Sequence, residues 1–524
     1  MSRRPALFRG IRPGAFPGVP IAVLALALAG SAAAAPAVPA APAAAAAAAA
    51  PGDPPPLFDP RRPPGRELVT DIADGFTLAA VGDCIISRPV SPMLAGDRGL
   101  AGVVRILRDA SVTFGNFEGS AIDIREFRGY PHGAVDDWAL ISTPDVAADL
   151  KSLGFDLLSR ANNHALDWGI EGMRETGRHL DEAGLVHAGS GENRALARAP
   201  RYLETERGRI GLVSMASSYT PMSDALPPAG QAPGRPGVNA VRTTRLTVVT
   251  EEMMRHLAAI REGFGSLRRD CPPAGAGRAA GEGPAGPPAA STPRDLELFE
   301  TRFVVGDRPG YSYLVDPLDR EENLKSIRQG KQHSDLLIAT IHAHEEGGGC
   351  AEPGDFLPDL ARAAIDAGAD AFIAHGVHAL GPIEIYKRRP IFYGLANFFW
   401  SDMQEPMPAG LHERNRELLA RAFGDPARAT DADLTALLNA SGFDDALVFQ
   451  TVIAVSRFEK GELAEVRLHP VDLGYGMRLT RSGVPRLASP ATGRAILERL
   501  QLLSRPYGTD LVIERGIGLI RPSR

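Results

Sequence analysis

The chain reads as an α/β protein built around strand ends, and three observations lead there. Apolar runs of strand length alternate with stretches opened by capping residues and closed by glycine. Many of those runs stop at polar side chains able to bind a metal or move a proton. The most informative is 160–169, Arg-Ala-Asn-Asn-His-Ala-Leu-Asp-Trp-Gly, directly after the apolar run 155–159. Polar groups at the C-terminal ends of strands are where α/β proteins place chemistry.

The elements follow in order. Residues 76–81 form a strand ending at Gly82-Asp83, and 111–114 a second ending at Gly115-Asn116-Phe117-Glu118. Thr143-Pro144-Asp145 opens a helix, with a capping hydroxyl and proline at its first position, and Gly154 stops it after Leu153. A longer helix spans about 170–183 before Gly184, followed by short strands near Val186 and at 210–214. Residues of about 221–300, rich in Pro, Gly and Ala, read as a partly disordered insertion with a helix at 251–261. Order resumes with a helix at 320–329, a strand at 335–341, a helix at 355–367 and a strand at 371–374. Runs 383–386 and 390–393 make a hairpin with Lys387-Arg388-Arg389 at its tip. A second, helical insertion covers about 403–442; 449–455 and 462–471 then close a sheet, and 481–524 is a C-terminal extension.

The start of the chain is not fold. Arg3, Arg4, Arg9 and Arg12 precede the apolar run 21–29, and Ser31 to Ala35 supplies small residues for cleavage. That is the layout of an export signal over 1–35, followed by a disordered Ala/Pro-rich linker over 36–74. The expected location is periplasmic, cell-surface or secreted, with an uncleaved signal as the alternative, a membrane tether. The core domain, 75–480, is long enough to bury a large core. A net charge of −6 gives no electrostatic reason to expect nucleic acid. Three cysteines make no disulfide framework; Cys84 reads as a core residue, and whether Cys271 and Cys350 pair is open.

Five strand ends carry polar clusters: Asp83, Asn116 with Glu118, Asn162-Asn163-His164, His342 with His344, and His375 with His378. Carboxylates, amide oxygens and imidazoles make a mixed O/N ligand set, suited to one or two Mn, Fe or Zn ions rather than Ca or Mg. Each residue alone has a plainer reading. Asp83 fits a turn or cap, Glu118 a surface carboxylate, and Asn162 and Asn163 loop backbone partners. His164 fits a buried hydrogen-bonded ring, Asp167 a cap for the next helix or an orienter of His164, and Glu345-Glu346 a solvated loop. Asn397 reads as a structural support. His179, His187, His412 and His469 read as ordinary surface or core histidines. It is the joint occurrence at strand ends that points to a metal.

The same residues carry a resemblance. Gly82-Asp83, Asn116-Phe117-Glu118, 161–167, Gly189-Ser190-Gly191-Glu192-Asn193, Ala374-His375-Gly376-Val377-His378 and the run 383–398 resemble the capsule-biosynthesis (CapA) family of poly-γ-glutamate proteins. The resemblance covers about 75–400 and implies a calcineurin-like metallophosphatase fold, a β-sandwich flanked by helices. It implies a metal set of Asp83, Glu118, Asn163, His342, His375 and His378, with His164 as acid/base neighbour and Asn162, Asp167, His344 and Asn397 in support. The chain departs from the family pattern at His342-Ala343-His344, where His-Trp-Gly is usual, which leaves open the histidine that faces the metal. Val377 stands for proline and Ala396 for glycine, and Cys84-Ile85 follows Asp83 where ordinary metallophosphatases place a histidine. Two functions follow as expectations: a metal-dependent hydrolase or transferase on an amide or phosphoester, or a non-catalytic accessory binding an extracellular anionic polymer or serving its synthesis machinery.

Overall fold

In the computed structural model the strand-forming runs gather into two large sheets and a few smaller ones. The structure describes residues 72–132, 139–265, 293–347, 352–401, 409–438 and 445–522. The expected signal, nearly all of the linker, and both Cys271 and Cys350 lie outside them.

The larger sheet has ten strands, with Phe76–Ile86 at its centre. Val112–Phe117 runs parallel along one edge of that strand. Along the other edge lie Gln450–Glu459, antiparallel to its first half, and Asn397–Ser401, parallel to its second. Leu157–Ser159 and Val186–Ala188 extend one side of the sheet; Glu462–Asp472 and the hairpin Leu511–Glu514/Ile517–Ile520 extend the other. A six-stranded sheet runs in the order Ile383–Tyr386, Arg389–Phe392, Ala371–Gly376, Leu336–Ala343, Gly208–Ala216 and Arg201–Thr205.

Side-chain alternation along the strands sets the layers. Phe76, Leu78 and Ala80 enter a core shared with Ile210, Leu212, Leu336, Ile338, Ala371 and Ile373 of the second sheet. Ala79 and Val81 point the other way, onto Val103 and Leu107 of the helix Arg98–Asp109 and onto Val146 and Leu150 of the helix Val146–Leu153. Beyond the second sheet, Leu337, Ala339 and Ile341 pack on Ile327 of the helix Pro317–Gln332 and on Leu357 and Leu360 of the helix Phe356–Asp366. The protein is thus mixed α/β, with two sheets facing one another across a shared core and helices outside. Truncating a side chain such as Leu78, fully buried, would cost about 2–5 kcal/mol.

Several details differ from the sequence reading. The helix expected to open at Thr143 starts at Val146, and the Thr143 hydroxyl bonds Asp145 instead of a helical amide. Within the 221–300 insertion the described residues carry regular structure, while the Gly/Pro run lies outside them. Thr243–Val249, Asp295–Leu298, Thr301–Val305 and Gly310–Val315 form a four-stranded sheet, and the helix Glu251–Gly265 packs Met254 and Leu257 on it. The C-terminal extension supplies the helix Pro490–Ser504 and the edge hairpin of the ten-stranded sheet. No helix among the described residues is long and apolar enough to cross a membrane.

Candidate metal centre

Both sheets direct polar strand ends to one place. The ten-stranded sheet contributes oxygens. Asp83 sits where the register slips against both neighbours, Val112–Phe117 and Asn397–Ser401. Bulges of this kind re-aim a side chain. Gly82 is required beside it, because a Cβ there would lie 1.8 Å from the Ala396 carbonyl oxygen. Ala396 itself holds a left-handed φ of 56°, the conformation that favours the glycine expected at this position. Its carbonyl accepts from the Asp83 amide at 2.9 Å. Glu118, whose isolated reading is a surface carboxylate, is 1% exposed.

Asn116 ties these groups together. Its Nδ2 donates to Asp83 Oδ1 at 2.9 Å and lies 3.3 Å from Glu118 Oε2. Its Oδ1 accepts from Asn162 Nδ2 at 3.1 Å, and Asn162 also donates to the Phe117 carbonyl at 2.9 Å. Asn162 Oδ1 in turn accepts from the His164 amide at 3.2 Å, so the 162–164 loop is pinned to the end of the strand that leads into Glu118.

The six-stranded sheet contributes nitrogens. His342 and His375 are partners across parallel strands, with Nδ1 atoms 3.0 Å apart. Thr340 fixes the His375 ring. Its hydroxyl donates to the Ile373 carbonyl at 2.7 Å, so at 2.9 Å it accepts from His375 Nε2–H, which leaves Nδ1 as the lone-pair nitrogen facing the cluster. His375 Nδ1 lies 3.5 Å from Asp83 Oδ1. His378, at a left-handed φ of 53°, points Nδ1 at Asp83 Oδ2 (3.3 Å) and at Asn397 Oδ1 (2.8 Å). Asn397 donates its own amide to the Val448 carbonyl, which orients that oxygen. His344 Nε2 is 2.9 Å from His342 Nε2, so both histidines of the pair face inward.

Three overlapping groups have the spacing a cation needs: Asp83 with His342 and His375, Glu118 with His342 and His344, and Asp83 with Glu118 and His378, all within 4.8 Å. Ligand atoms about 2.0–2.2 Å from one tetrahedral ion lie about 3.4 Å apart, close to the separations seen. Asn163 makes no hydrogen bond to these residues, but its Oδ1 is buried without a hydrogen-bond partner, as is Glu118 Oε1. Orphaned buried oxygens are rare, and a donor group, a water or a cation satisfies them.

The electrostatics divide the carboxylates. Burial pushes Asp83 up, but hydrogen bonding to His378 and the charges of His375 and His378 outweigh it and hold the group below its ordinary value. Burial, then repulsion from Asp83 and Asp167, raises Glu118 well above the carboxylate range. Burial depresses the imidazoles: His375 to about 4, His344 to about 3 and His342 well below the ordinary value, with neighbouring rings adding to the effect in His342 and His344. Neutral imidazole is the form that binds metal.

His164 stands at the rim. Its Nδ1 is 2.7 Å from Asp167 Oδ2 and its Nε2 3.9 Å from Glu118 Oε1. Asp167 Oδ2 also accepts from the Leu140 amide at 2.7 Å and makes no cap for the helix Gly169–Glu182, so of its two expected roles the geometry favours orienting His164. Glu345, read as solvated loop, accepts from Ser217, Ser218 and Thr243. Sequence reasoning passed over Thr340, the bridging role of Asn116, and Trp400, whose ring lies 5.0 Å from that of His378. Trp400 is held by a backbone bond to Gly483 at 2.8 Å. It also passed over Arg160, a fully buried guanidinium 5.6 Å from the Phe117 ring centre, which burial pulls down to about 9.

All the cluster residues fall inside residues 77–401, which match a family model described as bacterial capsule synthesis protein PGA_cap. Uncharacterized protein y4sH of Sinorhizobium fredii is 46% identical over 462 residues, covering 86% of this chain and 94% of its own. PGA biosynthesis protein CapA of Bacillus subtilis is 24% identical over 62% of this chain and 63% of its own. For capsule biosynthesis protein CapA of Bacillus anthracis the identity is 24%, over 62% and 59%. A solved structure of a hypothetical protein from Thermus thermophilus aligns with 78% of this chain and 96% of its own at 11% identity, with a TM-score of 0.27, too low to bear on the fold. With its motifs, its cluster and more than half its length matched, the chain belongs to the bacterial capsule synthesis (PGA_cap, CapA) family.

Proposed function

We propose that this protein is an exported, metal-dependent hydrolase acting on an amide or phosphoester bond in the synthesis or processing of a capsule polymer such as poly-γ-glutamate. The observation that carries the reading is the buried cluster: two carboxylates and a group of imidazoles from both sheets, beside two buried oxygens without donors. Left without a cation, such a set is costly to bury. The two facing sheets with helices outside support the likeness to calcineurin-like metallophosphoesterases, and the family's association with capsule supports the pathway. The basic and apolar N-terminal pattern supports export, and cell fractionation with an antibody tests it.

In this reading Asp83, Glu118, Asn163, His342, His375 and His378 hold one or two ions of Mn, Fe or Zn, with His344 as a further nitrogen donor. A bound divalent ion supplies Lewis acidity toward a carbonyl or phosphoryl oxygen. The chain supplies the rest. His164, donating Nδ1–H to Asp167, keeps Nε2 as the lone-pair nitrogen that takes a proton from attacking water and returns it to the leaving group. Asp167 holds the tautomer, and Asn116 and Asn162 hold the loop that carries His164.

A second reading has its own observation. Cys84 and Ile85, which follow Asp83, are buried in the apolar core, so that strand end offers the cluster one ligand. This favours an accessory protein that binds polymer without cutting it. The deciding experiment is metal analysis of purified protein, then hydrolysis assays on poly-γ-glutamate and on a generic phosphodiester. Turnover lost in His164→Ala supports the enzyme. Metal-replete protein that binds polymer and cleaves neither substrate is the accessory.

A further inference from the structure

His344 reaches the cluster from outside the strand ladder. His342 and His375 sit in register on parallel strands, whereas the strand Leu336–Ala343 ends one residue before His344. The His344 amide donates to a side chain instead, Ser218 Oγ, at 2.7 Å. Its ring still faces the centre, with Nε2 2.9 Å from His342 Nε2. Whatever holds Ser218 therefore decides where that nitrogen stands.

Glu345 holds it. Its Oε2 accepts from Ser218 Oγ at 3.0 Å and from Ser217 Oγ at 2.7 Å, and its Oε1 accepts from Thr243 Oγ1 at 3.2 Å. A carboxylate offers acceptors alone, and a hydroxyl carries one proton. The Ser218 proton is thus committed to Glu345, and its lone pairs are left to take the His344 amide. The amides of Ser217 and Ser218 both face the His342 carbonyl, at 2.9 and 3.4 Å, so this short segment spans both histidines of the pair. Thr243 opens the strand Thr243–Val249, so the same carboxylate ties the inserted four-stranded sheet to the metal centre. A solvated glutamate takes its hydrogen bonds from water; this one collects three hydroxyls from two separate segments.

We infer that Glu345 is a positioning residue of the metal centre: through the Ser218 hydroxyl it fixes the His344 backbone, and with it the nitrogen that His344 presents to the ion. Thr340 does comparable work for His375 at a ring nitrogen; Glu345 does it from the backbone side. Groups that orient a metal-binding histidine from behind are worth about 10- to 100-fold in metal affinity. The inference deepens the metal reading, with His344 as a nitrogen donor, and rests on it.

The test is competition titration of the full-length protein with Zn²⁺, together with the visible absorption of its Co²⁺-loaded form, which responds to the donor set. Glu345→Gln, which sets an amide donor against hydroxyls, lowers Zn²⁺ affinity about ten-fold and moves the Co²⁺ band toward that of His344→Ala. Ser218→Ala does the same, and Ser218→Thr, which keeps the hydroxyl, recovers most of the affinity. Thr243→Val costs less. The decisive comparison is the double variant: Glu345→Gln added to His344→Ala costs nothing more, because the carboxylate works through that ring. A further ten-fold loss there overturns the inference, as do wild-type affinity and spectrum in Glu345→Gln. Asp355→Asn, which releases Ser312 and Tyr313 of the inserted sheet, leaves affinity unchanged. A loss equal to that of Glu345→Gln would assign the effect to docking of the sheet and overturn the inference. A wild-type chain that takes up no metal overturns the metal reading and this inference with it; a metal-binding wild type indifferent to Glu345→Gln overturns this inference alone.

Discussion

The two sheets arm the same centre with different chemistry. The ten-stranded sheet brings oxygens, Asp83 and Glu118, steadied by the amides of Asn116 and Asn162. The six-stranded sheet brings imidazoles, His342 and His375 in register and His344 and His378 just beyond their strands. The oxygen wall gains its aim from a register slip, the nitrogen wall from a regular ladder with a threonine behind one ring. A cation between them would join the sheets, so metal binding and the stability of the sheet pair are one quantity measured in two ways.

The largest effect expected is loss of either wall. Asp83→Asn and His342→Ala each remove bound metal and reduce turnover to background, measured by elemental analysis and by hydrolysis of the polymer. Both also abolish the rise in melting temperature on metal addition, a stabilisation of about 2.7 kcal/mol when free metal is 100 times Kd. A melting shift retained in one of them would mean that the ion sits on one sheet alone. Next, His164→Ala retains metal and loses about 10²- to 10⁴-fold in rate. A smaller effect is reserved for Thr340→Val, which leaves His375 Nε2–H without its acceptor. Metal affinity falls about 10- to 100-fold in a competition titration, and the absence of any change would show that the ring is held by its ladder. Smallest is Ala396→Gly, which relieves a left-handed backbone beside Asp83 and raises stability by up to about 1 kcal/mol in urea melts.

Much of this was legible in the residues. Strands such as 112–117 and 371–376 announce themselves as apolar runs halted by polar groups, and the helices near 146 and 170 by their closing glycines. The metal-competent side chains stood out for the same reason. Less visible was whatever depends on register. Asn116 lies inside a buried strand, and only pairing with Phe76–Ile86 turns its amide toward two carboxylates. Thr340 matters because His375 lies on the adjacent strand. The four-stranded sheet of 243–315 escaped notice because its strands are short, charged and half-exposed, and the Gly/Pro-rich run between them dominates the composition. Asn163 remains apart: its orphaned oxygen marks a need, and no contact to the other ligands fills it.

Trp400 gives the fold a practical corollary. The matched family segment stops at Ser401, yet the tryptophan that meets the His378 ring edge-on donates its backbone amide to the carbonyl of Gly483, some eighty residues downstream. Gly483 has no room for a side chain, since a Cβ would fall 1.8 Å from the Trp400 carbonyl oxygen. A recombinant fragment trimmed to the family boundary would carry every candidate ligand and still lack the brace behind one of them. Expression work on relatives of this chain should therefore keep the tail.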